Sequence, residues 1–137
     1  MFGLVAALAA VGCGAGRDGL ASRYYKIPLG RCLQRHLGPA WMPPRERPRV
    51  PAEVLDAARQ RGEGHLEAFG GRSRHRWPAA VFVFFDGEEP AARYARAASE
   101  RTRNVLVFYA RPPAPAQRAL VSACLAEALP AREPRAQ

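Results

Sequence analysis

The clearest pattern in the chain is the run AAVFVFF at 79–85, which has no polar interruption and is rich in β-branched and aromatic residues. Such a run reads as a strand covered on both faces, with Phe82 and Phe84 on one side and Val81, Val83 and Phe85 on the other. VLVFY at 105–109 has the same character and predicts a second buried strand. Between them, 88–103 carries helical spacing. Ala91, Tyr94, Ala95 and Ala98 share one face, and Arg93, Arg96, Glu100 and Arg103 the other, with Pro90 suited to the first turn. Arg96 and Glu100 stand one turn apart and are expected to pair. A helix between two strands predicts a right-handed crossover, so the strands near 79–85 and 104–109 are expected to run parallel. A last helix over 116–129 places Leu120, Val121, Cys124, Leu125 and Ala128 on its buried stripe, which makes Cys124 a core residue. The predicted unit is βαβα.

The pattern in the N-terminal half is weaker. Val54, Leu55 and Ala58 give a helical stripe beginning at Pro51, and Gly62 and Gly64 should end it, with His65, Leu66 and Phe69 adding a further turn. Residues 17–50 contain Pro28, Pro39, Pro43, Pro44 and Pro48. Proline at that density disfavours a long helix or a central strand, so this stretch predicts an extended arm. Residues 1–13 are nearly all apolar. They lack the positive start of a secretory signal and fall short of the roughly 20 residues of a spanning helix. They read as a short apolar helix packed on this domain, a neighbour or a membrane surface. Gly14, Gly16 and Gly19 match G-x-G-x-x-G, but no strand precedes them and no long helix follows, so they read as a hinge. The expected organisation is an apolar segment with a glycine hinge at 1–16, a basic Pro-rich arm at 17–50, a small single α/β domain at 51–129 and a tail at 130–137. Since two strands do not make a stable sheet, a short strand from 23–29 or a neighbouring chain is expected to complete it.

Charge changes this picture most. Basic residues number 21 against 12 acidic ones, a net charge of +9, and Lys26 is the only lysine. Guanidinium groups favour planar, bidentate contact with phosphate or carboxylate, which points to a large anionic partner. The local maximum is Arg72, Arg74 and Arg76 with Trp77, behind the pair Gly70 and Gly71. In the arm, Arg31, Arg35, Arg45, Arg47 and Arg49 accompany Trp41. These ten side chains are the expected contact set for nucleic acid or an acidic partner.

Candidate chemistry is sparse by comparison. Cys13, Cys32 and Cys124 are odd in number and far apart, which matches neither a disulfide framework nor a zinc cluster and fits a reducing compartment or plain burial. Cys32 and His36 can share a helical face, but two groups do not make a metal site. Asp86, Glu88 and Glu89 follow the first strand and read as charges at a helix N-terminus, with an acidic enzyme site near Asp86 as the competing reading. There is no C-x-x-C pair, no phosphate-binding G-x-x-x-x-G-K-S/T loop and no G-x-S-x-G elbow. The sequence therefore predicts a non-enzymatic accessory subunit of a large assembly, without metal, cofactor or small-molecule substrate. The leading expectation is an organellar, mitochondrial ribonucleoprotein such as a ribosome, contacting RNA or other protein subunits. A peripheral subunit of a membrane respiratory or photosynthetic complex, touching the membrane through 1–11, is the alternative.

Overall fold

A computed structural model describes residues 23–37, 47–68 and 77–129. Within them a four-stranded sheet is sandwiched between two pairs of helices. The chain enters through helix α1 (Lys26–Leu37), resumes in α2 (Ala52–Gln60) and turns into strand β1 (Gly62–Ala68). Strand β2 (Ala80–Phe85) follows, then the short α3 (Glu88–Arg93) and a single 3₁₀ turn at Ala95–Ala97. Strands β3 (Glu100–Thr102) and β4 (Val105–Tyr109) form a hairpin, and α4 (Pro115–Ala128) closes the fold.

The sheet order is β1-β2-β4-β3, and every hydrogen-bonded pair in it is antiparallel. The parallel arrangement expected from the sequence is thus corrected. The helical pattern at 88–103 ends early, because α3 stops at Arg93 and the chain re-extends as β3. What crosses over the sheet from β2 is an edge strand. The strand β4 then returns by a tight hairpin and inserts between β2 and β3. The expected pairing of Arg96 with Glu100 disappears with the longer helix, and Glu100 pairs instead with Arg118 of α4 at 3.2 Å.

Two further expectations are overturned at the N-terminal side. Residues 62–68 form β1 where a helical turn was expected, and this strand completes the sheet from within the chain. Gly62 is required there, since a Cβ would lie 2.0 Å from the Phe84 carbonyl oxygen. Gly64 absorbs the adjacent register shift at φ +79. The segment expected as an extended arm, or as a strand at 23–29, contains α1 instead. Pro28 falls in the first turn of that helix, where a missing amide hydrogen breaks no intrahelical bond.

The alternation within β2 holds as expected. All six of its residues are buried. Phe82 and Phe84 join Val105 and Val107 beneath α1 and α4, packed with Leu29, Leu33, Val121 and Leu125. Val81, Val83 and Phe85 face the opposite way with Leu106 and Phe108, against Val54 and Ala58 of α2 and Ala91 of α3. α1 and α4 are joined covalently by a Cys32–Cys124 disulfide, with Cα atoms 5.4 Å apart. Cys124 is fully buried, as its place on the helical stripe predicted, and the bridge adds a covalent link where no disulfide framework was expected. It spans 92 residues of sequence, so the pairing depends on tertiary proximity that spacing cannot reveal. No described helix is long and apolar enough to cross a membrane.

Candidate functional site

One end of the sheet gathers a buried carboxamide and several charged side chains. There β2 finishes at Phe85 and Asp86, β4 starts after Asn104, β1 starts at Gly62, and residues 23–25 lead into α1. Asn104 is fully buried and acts as a clasp. Its Oδ1 accepts from the Tyr24 backbone N–H at 2.7 Å, and its Nδ2 donates to the Tyr24 carbonyl at 2.9 Å and the Phe85 carbonyl at 2.8 Å. The Phe85 N–H in turn donates to the Asn104 carbonyl. A carboxamide carries both donors and acceptor, so a single side chain satisfies three backbone groups that would otherwise be buried unpaired.

Around this clasp stand four guanidinium groups. Arg23 donates from Nη1 to the Asp86 carbonyl at 3.2 Å and lies 4.8 Å from the Tyr25 ring centroid. Arg61 approaches the Asp86 carboxylate at 3.6 Å, while the Asp86 N–H donates to the Arg61 carbonyl at 2.6 Å. Arg103 lies over the Tyr24 ring at 5.5 Å, and Arg101 donates to the Arg103 carbonyl at 3.2 Å. Lys26 adds a fifth cation, with its backbone N–H bonded to Glu63. Five cations thus meet Asp86 and Glu63, with Glu88 and Glu89 following Asp86 into the first turn of α3, which leaves a small excess of positive charge at this pole.

Two features of the cluster stand out. Arg103 adopts φ 51, alone among the described non-glycine residues in having a positive φ. The left-handed conformation costs an L-residue about 1–2 kcal/mol, and the two-residue hairpin between Thr102 and Val105 demands it at this position. Arg23 Nε is buried without a hydrogen-bond acceptor, although buried donors are ordinarily paired.

The residues singled out from the sequence are more scattered. Arg31 and Arg35 occupy the exposed side of α1, and Arg35 is paired with Glu127 of α4. Arg47 and Arg49 are exposed in the segment leading into α2. Trp77 is half-buried against the core beneath α1 and α4, so its ring is partly taken by packing. Trp41, Arg45, Arg72, Arg74 and Arg76 lie outside the described residues, as do the glycine motif, the apolar segment and the tail. Glu88 and Glu89 occupy the first turn of α3, with Glu89 paired to Arg93, and the Asp86 carboxylate is engaged by Arg61. Arg23, Arg61 and Arg101 were not visible as site residues because no local pattern joins them. The Arg103-Asn104 turn before VLVFY was the one available signal.

At the opposite end of the sheet, Tyr109 is partly buried. Burial, and then the nearby Glu100 carboxylate, push its phenol far above the ordinary tyrosine range, with Arg118 opposing. Gln117 of α4 is fully buried and donates to the Pro78 carbonyl at 3.0 Å. No protein-family model, curated protein or solved structure matches the chain.

Proposed function

We propose that the protein is a non-enzymatic accessory module that docks onto an acidic protein surface within a larger assembly, through the guanidinium cluster at the Asn104 end of the sheet. The observation that carries this reading is the placement of Arg23, Arg61, Arg101 and Arg103 along one end of the sheet, around the Asn104 clasp, with Arg23 and Arg103 laid against the Tyr25 and Tyr24 rings. Guanidinium groups preorganised by stacking and backbone contacts lose little freedom on meeting carboxylates, which favours affinity. The overall charge of +9 steers the same encounter.

The disulfide supports an oxidising compartment over a reducing one. It therefore weighs for a protein partner outside reducing interiors and against the ribosomal reading, which rests on charge and architecture. The experiment is capture of partners by the tagged full chain and by the triple variant Arg61→Gln, Arg101→Gln, Arg103→Gln. An acidic protein held by the native chain, released by salt and lost in the folded variant, is the expected result. Recovery of nuclease-sensitive RNA in place of an acidic protein would overturn it in favour of the ribonucleoprotein reading.

A further inference from the structure

The bridge between α1 and α4 has a third ligating group beside it. His36 lies one turn after Cys32 on α1, and its imidazole and the two sulfur atoms all lie within 4.8 Å of one another. Among the described residues this is the one gathering of three or more potential metal ligands. Both cysteines are almost fully buried and His36 is exposed, so the group is dry on the protein side and open on the other. From the sequence, Cys32 and His36 were two ligands short of a site. The fold brings Cys124 in from 92 residues away.

We propose that reduction of the Cys32–Cys124 bridge converts this corner into a Cys2His site for zinc or a similar d10 ion, so that the two helices are joined either by a disulfide or by a metal. A tetrahedral zinc holds sulfur at about 2.3 Å and imidazole nitrogen at about 2.0–2.1 Å, which sets the ligand atoms about 3.4–3.8 Å apart. On reduction the two sulfurs move apart from bonding distance to that spacing and the imidazole, within 4.8 Å, closes by about an ångström, shifts that side-chain rotation supplies between backbones 5.4 Å apart. Three protein ligands leave the fourth position to water on the exposed side. The thiolate is the competent donor, so the oxidised form does not bind. A dithiol reductant delivers two electrons and two protons to the bridge and leaves as its own disulfide. The two thiols then lose their protons to solvent as the ion binds. A disulfide acceptor reverses the sequence, taking two electrons from the sulfurs, re-forming the bridge and releasing the ion.

The test uses the full chain, oxidised or reduced anaerobically with a phosphine, titrated with Co²⁺ and then Zn²⁺. The reduced chain should take one equivalent, with thiolate-to-cobalt charge-transfer absorption and the visible bands of a tetrahedral ion, and the oxidised chain none. Loss of even an outer-shell partner weakens metal sites about 10–100-fold, so His36→Ala should lower zinc affinity at least about tenfold. Its side chain is exposed, so this variant should fold as the native chain does. If reduction loosens the helices, zinc should restore their circular dichroism. Absence of thiolate-cobalt absorption, unchanged affinity in His36→Ala, equal binding by the oxidised chain, or a reduced chain that zinc does not refold would each overturn the proposal.

Discussion

Single residues decide how the two ends of the sheet behave. Asn104 satisfies three backbone groups at once. Asn104→Ala leaves them buried and unpaired and should cost about 2–4 kcal/mol, since each orphaned group carries a penalty of about 1–3 kcal/mol and neighbouring penalties do not simply add. Chemical denaturation checks this, and an unchanged midpoint would mean the clasp is dispensable. Arg103→Gly works in the other direction. It relieves about 1–2 kcal/mol of left-handed strain and forfeits a cation–π contact of about 0.5–1 kcal/mol. Stability should hold or rise while partner binding falls, a separation that thermal melting and capture assays read together. At the far end, the folded chain keeps the Tyr109 phenolic proton more tightly than the unfolded chain does. Stability is then undiminished below the ordinary tyrosine pKa of about 10 and declines as pH rises beyond it. Tyr109→Phe should flatten that alkaline decline, as denaturation midpoints measured on both sides of pH 10 would reveal.

Among the elements, those with strong periodicity were legible and those held by tertiary contact were not. The strands β2 and β4 stood out as short uninterrupted apolar runs, and the helix α4 by an apolar stripe at helical spacing. GEGHLEA, which becomes β1, has two glycines, two acids and little alternation. Its conformation comes from pairing with β2 and from covering by α1 and α2, and no local propensity announces it. ERT, which becomes β3, is three residues long and inherits its extension from the hairpin with β4. Missing that short strand was enough to reverse the inferred direction of β4. Proline in a first helical turn likewise misled, because only position within the helix decides whether it is tolerated. The site was less legible than the fold, since Arg23, Arg61 and Arg103 converge through three different elements. The covalent link between α1 and α4 makes a prediction at this scale. Closing a loop of 92 residues restricts the unfolded chain by an amount worth up to about 4–5 kcal/mol. Metal-free reduction should lower the denaturation midpoint accordingly, and an unchanged midpoint would show that the bridge adds nothing to stability.

At the level of the whole molecule, the sheet is completed from within the chain, and both of its faces are covered by its own helices. The described domain thus needs no neighbour to finish its core, and the oxidised chain should melt in one cooperative transition. The proposed partner contact falls instead to the surface, where among the described residues Arg23, Arg61, Arg101 and Arg103 stand at the Asn104 end. That distribution supplies its own probe, because Lys26 is the only lysine in the chain and sits at the start of α1 beside the cluster. A carbodiimide joins an amine to a carboxylate without a spacer, so the captured complex can be cross-linked and the linked peptides identified by mass spectrometry. The account predicts a bond from Lys26 to an aspartate or glutamate of the partner, lost in the Arg61→Gln, Arg101→Gln, Arg103→Gln variant. A complex that cross-links with equal yield in the variant, or only through positions away from Lys26, would contradict it.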